Sequence, residues 1–466
     1  MEKKEEQKQP SENTISTNEN SSQSENKPPR QITEKEKREF LNQIANLKKT
    51  QDLIKMGEIP GFKTDFKFWG TQPVPQFNKP LNVPYGPILK DNKIEEVQTE
   101  SYTLPEGFEW KDIDLSQSND VDKLYEFLKS NYIGDESHLF GTDFSKDFLK
   151  WFLSPPEMNK DWIISVVKED KVKNKKKIIG FISAIPTKLS IDNTEIKMAK
   201  VFFLCVKKEF RNRRLTPVLI KEITRRINLK NIWQGVYRTF AYLPKAFTKS
   251  QYFFRSINLK KLLDVHYTYL PNSKMSVGNA IKKYELPDEP NISGFRKMEE
   301  KDLEQIYNLI LARNKKYKIY EILTLKDLEH WLLPRNNIVY TYVLEDEEHK
   351  ITDFCSFYTI QRTILNNQNN NSSNSKYKKI NFAYELINCN NSISMKELLR
   401  SAVILAKQNN FDAYHCINYK ENADNFKELL FMEKIGKMKY HLYNFVYPET
   451  NIDDVSLMFM WVWVYI

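Results

Sequence analysis

Two stretches of this chain follow one plan, and that duplication restricts the fold more than any other feature. The first reads IIGFISAIPTKLSI, then AKVFFLCV, then a helix from Thr216 to about Arg226, then NIWQGVYRTFAY. The second reads ITDFCSFYTIQRTI, then INFAYELINC, then a helix through KELLRSAVILAKQ, then FDAYHCIN. Each is strand, turn, strand, helix, strand, with GFISA and DFCSF in the same place. Short apolar runs resemble one another by chance, but a matched order of five elements points to two copies of one unit about a pseudo-twofold axis. The expected fold class is α/β, a large twisted mixed sheet flanked by helices.

The segments before the repeat are of other kinds. Residues 1–35 are rich in Glu, Lys, Gln, Ser and Asn and carry almost no large apolar side chain. Such a tail cannot bury enough apolar surface to offset its ordering entropy and is expected to be disordered. No apolar stretch follows its lysines, so it does not read as a signal peptide. A charged amphipathic helix is expected over 34–57, opening the segment at 36–91, and is followed by FKFWGTQPVPQFNKPLNVPYGPI. That segment has too many prolines for a central strand or helix. Its aromatics suggest a cover lying across the body of the protein.

No run approaches the ~18–20 apolar residues that a membrane span requires. Cys205, Cys355, Cys389 and Cys416 are scattered, with no CxxC, which points to reduced thiols and a cytoplasmic protein. The net charge of +10 is spread along the chain and mixed with acids, so no nucleic-acid partner is expected. The Asn-rich NNQNNNSSNS reads as an inserted surface loop.

One junction in the first repeat has chemistry of its own. In VFFLCVKKEFRNRRLTPVLI, Thr216 suits a helix N-cap and Pro217 the first helical position. The first turn then leaves backbone N–H groups unpaired, and Arg211, Arg213 and Arg214 sit in the loop that delivers it. Strand, basic loop and helix N-terminus in this order suit the pyrophosphate of a coenzyme A. A solvated basic loop is the other reading of the same residues.

Six stretches, FKFWGTQPVPQF, SYTLPEGFEW, GFISAIP, FLCVKKEFRNRRLTPVLIKEITRR, LPKAFTKSQYFFRSINLKKL and KYHLYNF, closely resemble the glycylpeptide N-tetradecanoyltransferase (N-myristoyltransferase) family. The resemblance keeps the family's order and spacing from about Phe66 to Met460. It implies a duplicated acyl-CoA N-acyltransferase fold. The half at 92–250 would bind myristoyl-CoA, the half at 251–466 would supply most of a peptide groove, and 36–91 would cover the CoA site. The implied reaction moves a myristoyl group from CoA sulfur to the α-amine of an N-terminal glycine, with myristoyl-CoA binding first. It requires donors for a developing oxyanion and a base for the ammonium. It calls for no Ser or Cys nucleophile, no metal and no further cofactor.

By this resemblance the oxyanion donors are the backbone N–H groups of Phe203 and Leu204. CoA contacts are implied for Phe66, Lys67, Phe68 and Trp69, for Leu204, Cys205 and Val206, and for Arg211, Asn212, Arg213, Arg214, Leu215, Thr216 and Pro217. Tyr132, Asp135 and Glu136 fall in NYIGDESHLF, matching an acidic loop that favours basic residues further along the substrate peptide. Phe202 and Arg238 fall at the glycine amine. Partner expectations are a monomer and association with ribosomes, although the tail lacks the polybasic stretch such tethering calls for.

The chain departs from the family at that amine. The usual strand EINFLCVHK is here KVFFLCVKK, residues 200–208, so Phe202 replaces an Asn that helps hold the amine and Lys207 replaces a His. Arg238 stands for a Thr, Phe240 for a Gly, Phe254 for a pocket His, and LFMEKIGK for the Gly-rich KFGIGDG. The family uses its own terminal carboxylate as the base. Counting from YHLYNF, that terminus matches Met460, yet the chain runs on through WVWVYI to Ile466. Three readings stay open. Ile466 delivers its carboxylate by another path, paired with Arg238; the extension is removed or is an error of reading frame; or the protein is a weak or inactive relative that binds acyl-CoA or N-terminal peptides.

Overall fold

The computed structural model describes residues 67–458 apart from 77–84, 91, 133–138, 171–174, 212, 242, 271–273 and 366–375. The tail at 1–35, the expected helix at 34–57, the NNQNNNSSNS stretch, Phe66, Asp135, Glu136, Asn212 and Ile466 therefore lie outside the described residues.

The described chain opens with β1 (Phe108–Asp112), helix α1 (Ser118–Asn131), β2 (Phe140–Asp143) and helix α2 (Lys146–Leu153). The first repeat follows. Strands β3 (Ile163–Asp170), β4 (Lys175–Ile191) and β5 (Thr194–Val206) form an antiparallel meander. Helix α3 (Leu215–Asn228) then carries the chain to β6 (Gln234–Thr239), which pairs parallel to β5. A parallel pair needs such a crossover, and the apolar spacing of VLIKEITRRI supplies a helix for it.

After β7 (Thr248–Ser256), β8 (Phe295–Lys297) and β9 (Ile319–Glu321) the plan recurs. Strands β10 (Val339–Glu345), β11 (Ile351–Ile364) and β12 (Lys379–Cys389) form the second meander. Helix α4 (Met395–Gln408) crosses to β13 (Ala413–Ile417), parallel to β12. Strands β14 (Met432–Tyr443) and β15 (Val455–Ser456) complete the described chain.

The main path of the sheet runs β1-β3-β4-β5-β6-β14-β7-β13-β12-β11-β10-β8. Its centre holds an exchange. Strand β7, which ends the first repeat, pairs with β13 of the second, while β14 pairs with β6 of the first. The two exchanged strands lie antiparallel to each other, so the pseudo-twofold axis passes between them. Each repeat buries its own crossover helix. Leu219, Ile220 and Ile223 of α3 pack with Ile182 and Leu204, and Leu398, Leu399 and Ala402 of α4 pack with Cys355 and Phe357. The opposite face of the sheet joins α1 and α2 in one shared core.

The two crossover helices start differently. Ser394 caps α4 in a reciprocal box with Glu397. In α3 the expected Thr216 cap is corrected: the helix begins at Leu215, and its N-cap is Arg214, left-handed at φ 57° with no side-chain cap. The turn through Arg214 starts the helix early, and Pro217 in its first turn still needs no N–H.

The strand beneath each helix differs to match. At Gly180 a Cβ would lie 3.0 Å from Leu219 Cδ1 and 3.1 Å from Leu215 Cδ2, so the glycine lets α3 settle onto β4. The matching place in DFCSF holds Asp353, fully buried. Its carboxylate accepts from the N–H groups of Asn391 at 2.7 Å, Ser392 at 3.1 Å and Ile393 at 3.2 Å, and from the Ser392 hydroxyl. The loop leading into α4 is thus filled by an anion of the chain itself. Replacing Asp353→Ala is expected to destabilise the protein by about 3 kcal/mol or more, at ~1–3 kcal/mol for each stranded donor, as measured by denaturant titration.

Candidate active site

Strand β5 breaks its register in the middle. Phe181 pairs with Cys205 and Ser183 with Phe202, leaving Ile182 opposite both Phe203 and Leu204. This is a β-bulge, and it takes backbone groups out of the ladder. Phe203 occupies the left-handed region at φ 54°, at a strain of about 1–2 kcal/mol for a residue with a Cβ. Side-chain alternation breaks there as well: Phe202 and Phe203 both enter the shared core, and Leu204 turns to the α3 side.

Packing offsets that strain. The Phe203 ring meets Phe144 at 5.3 Å and Phe152 at 5.4 Å, both edge-on, with Tyr132 at 5.7 Å and Phe181 at 6.3 Å. Aromatic pairs contribute about 0.5–1.5 kcal/mol each beyond area burial, so four of them outweigh one strained residue. Tyr132 therefore sits against the bulge, at the end of α1.

On the other face, Leu204 lines an almost wholly apolar cavity with Ile182, Val201, Ile220, Ile223 and Tyr237. It holds about 530 Å³, part of it open to solvent, and Trp69 forms one wall. Trp69 stacks on Tyr237 at 5.8 Å, and Asn444 N–H donates to Pro73 O at 2.8 Å. The described part of the Pro- and aromatic-rich segment thus lies against the sheet. Lys67 is exposed and Phe68 half-buried beside Trp69.

The loop beyond Val206 is anchored from within. Arg211 donates through Nε to Val206 O at 3.2 Å and through Nη2 to Asn131 O at 2.6 Å, while Lys208 N–H donates to Asn131 Oδ1 at 3.2 Å. Arg213 and Arg214 are exposed, and Leu215, Thr216 and Pro217 form the first turn of α3. Cys205, next to Leu204, is not poised as a nucleophile, since burial pushes its thiol up to about 12.

The residues expected at the amine are buried. Phe202 packs edge-on against Phe152 at 4.9 Å. Arg238 donates to the Tyr252 hydroxyl at 3.1 Å. Burial works against its charge, but Tyr252, Tyr440 and Tyr358 hold the guanidinium above its ordinary value. Phe254 faces His415 across the β7–β13 ladder, rings 5.5 Å apart, so an imidazole lies one strand over from the place where the family has its His.

Sequence reasoning missed a contact at the far end of the chain. Strand β15 pairs with β9, and β9 also pairs with β4. Beyond β15, Met458 N–H donates to Glu321 Oε2 at 3.3 Å and Met458 O accepts from Lys200 Nζ at 3.3 Å. Lys200 and Glu321 are themselves paired at 2.5 Å. Lys200 opens KVFFLCVKK, where the family strand has Glu, and that reversal was the available signal. Ser456, Leu457 and Met458 also line a part-polar pocket of about 490 Å³, some of it open to solvent, with Tyr252, Arg313 and Glu385. Burial pushes the Glu385 carboxyl up to about 7. Among the described residues no helix is long and apolar enough to cross a membrane.

The family model described as Myristoyl-CoA:protein N-myristoyltransferase, N-terminal domain, matches residues 87–250, and its C-terminal counterpart matches 264–457. The chain belongs to the N-myristoyltransferase family. It is 40% identical over 399 residues to a glycylpeptide N-tetradecanoyltransferase of Plasmodium falciparum, covering 85% of this chain and 94% of that one. It is 39% identical over 382 residues to glycylpeptide N-tetradecanoyltransferase 1 of Arabidopsis thaliana, covering 81% and 85%. The crystal structure of the Saccharomyces cerevisiae N-myristoyltransferase with bound myristoyl-CoA matches with a TM-score of 0.77 at 31% identity, over 83% of this chain and 94% of that chain. The bulge at Phe203 is part of an N-myristoyltransferase fold, and its strain has a signature. Phe203→Gly is expected to be more stable than Phe203→Ala by about 1 kcal/mol in urea titration, because glycine alone is unstrained at positive φ.

Proposed function

We propose that this chain transfers the myristoyl group of myristoyl-CoA to the α-amine of an N-terminal glycine. The support is the conjunction, in the first repeat, of a bulge, an apolar cavity and an uncapped helix start. Exposed Arg213 and Arg214 and the first turn of α3 bind the CoA phosphates, in a loop shaped by Arg211. The acyl chain enters the cavity beside Leu204, under Trp69. The thioester oxygen then meets the N–H groups of Phe203 and Leu204. In the second repeat, Asp353 already fills the matching loop, which favours one acyl-CoA per chain.

The chemistry follows from that placement. A base takes one proton from the glycyl ammonium, and the amine nitrogen attacks the thioester carbon. Negative charge collects on the carbonyl oxygen, where the two N–H groups are worth more than they are to the ground-state carbonyl. The C–S bond breaks as the amide forms, and the second amine proton goes to the departing thiolate. We assign the base to the terminal carboxylate of Ile466. Met458, the last described residue, is held against the strand that carries the bulge. We assign Phe202 and Arg238 to the amine pocket, and Tyr132, Asp135 and Glu136 to binding of the acceptor peptide. We place the reaction in the cytoplasm, on a monomer acting on chains as they leave the ribosome.

The test is CoA release from myristoyl-CoA with a panel of glycine-starting peptides, for the full chain and for one ending at Met460. Turnover by the full chain is expected. Silence from both, with myristoyl-CoA still bound, contradicts transfer and leaves a binding protein. The cavity sets a second expectation. Dodecanoyl-CoA should bind roughly fifteenfold more weakly than the tetradecanoyl ester, two methylenes at about 0.8 kcal/mol each, by competition titration.

A further inference from the structure

The chain that leaves β14 holds the Pro- and aromatic-rich segment at two places. Tyr443, the last residue of the strand, donates from its hydroxyl to Gln72 Oε1 at 3.0 Å, and the N–H of Asn444 donates to Pro73 O at 2.8 Å. The Asn444 side chain takes hold further along the same segment, where its Oδ1 accepts from Leu89 N–H at 2.7 Å. Val446 and Gly86 then exchange both of their backbone hydrogen bonds, at 2.8 and 3.1 Å.

A strand that simply continued would not make these contacts. Strand β14 ends against β6, where Tyr443 lies opposite Gly235. Asn444 then takes φ 51°, in the left-handed region, with 2% of it exposed. Asn is among the few residues with a Cβ that visit this region readily, because its short polar side chain can be hydrogen-bonded there. An alanine at the same φ would be strained and would offer Leu89 no acceptor.

These bonds bear on one wall of the apolar cavity. Gln72 N–H donates to Trp69 O at 3.1 Å, and Gln76 Nε2 donates to Trp69 O and Val74 O, both at 2.9 Å. Trp69 thus hangs from the stretch that Tyr443 and Asn444 hold, with its ring stacked on Tyr237, and Tyr443 lines the same cavity.

We propose that Tyr443 and Asn444 are positioning residues for the acyl chain. They fasten residues 72, 73 and 89 to the end of β14, and so keep Trp69 seated against the cavity while the acyl chain is bound. Strand β14 belongs to the second repeat and the cavity to the first, so each half takes part in holding one acyl-CoA. This rests on the reading of that cavity as the acyl site.

The deciding variant is Tyr443→Phe with Asn444→Gly. It removes one hydroxyl and one side chain, and glycine keeps the N–H to Pro73 without strain at positive φ. On full chains one would measure melting temperature, amide exchange over 69–76 and 85–89, and release of radiolabelled myristoyl-CoA chased by the unlabelled ester. The variant should melt within a few degrees of the parent. Exchange in both stretches and the release rate should rise together by about fivefold or more, the scale on which one net hydrogen bond shifts an equilibrium. In a Trp69→Ala background the same pair should change release by less than about twofold, because the wall that it holds is gone. Parental release in a folded variant whose exchange has risen overturns the proposal, as does an equal further rise in the Trp69→Ala background. Tyr443→Phe alone, which removes a single oxygen, carries the same test if the double variant does not fold. A parent that binds no myristoyl-CoA overturns the acyl-site reading and this proposal with it, whereas binding by the parent with parental release from the variant overturns this proposal alone.

Discussion

A helix that follows a strand begins with backbone N–H groups that have no partner within the helix, and the chain around them must supply acceptors or leave them to a ligand. The two crossover helices meet that demand differently. Ahead of α4, Asp353 rises from β11 and takes the N–H groups of Asn391, Ser392 and Ile393, while Ser394 caps the helix proper. Ahead of α3 the corresponding strand position is Gly180, which has no side chain to offer, and Arg214 provides no cap. Two copies of one fold thus arrive at opposite electrostatic outcomes. One loop is neutralised by its own chain, and the other faces solvent with two exposed arginines.

The rest of the proposed site grows from the same asymmetry. With no side chain at Gly180, α3 lies close to β4, and the space between α3 and the sheet becomes the apolar cavity. The bulge beside it needs a residue at positive φ, where glycine is the unstrained choice, yet the chain uses Phe203. The ring earns its place through Tyr132, Phe144, Phe152 and Phe181, which fix the bulge from the opposite face of the sheet. Strain and packing act on one residue, so the backbone there is held in one geometry, as preorganised donors require.

Local patterns carried most of the architecture. The order of five elements in each repeat was legible because apolar period, turn residues and crossover length are short-range properties. The family was legible for the same reason: its motifs are contiguous. The exchange of β7 and β14 was not, because strand neighbours lie far apart in the chain and nothing local encodes them. Thr216 was misread as a cap because Thr-Pro is a common helix opening, whereas the turn depends on the left-handed Arg214. Asp353, within DFCSF, carries no local sign of its role, because the loop that it fills lies 38 to 40 residues further along the chain. Lys200 and Glu321 are 121 residues apart, and Lys200 and Met458 are 258 apart, so no window of sequence joins them.

The central claim is that the first repeat alone receives the acyl-CoA, with its carbonyl at the Phe203–Leu204 bulge. The most direct measurement is a crystal structure of the full chain with a non-hydrolysable ketone analogue of myristoyl-CoA. The account predicts one molecule per chain, its acyl chain in the cavity beside Leu204 and its carbonyl oxygen about 3 Å from the N–H groups of Phe203 and Leu204. A molecule seated at α4, or a carbonyl turned away from the bulge, would contradict it.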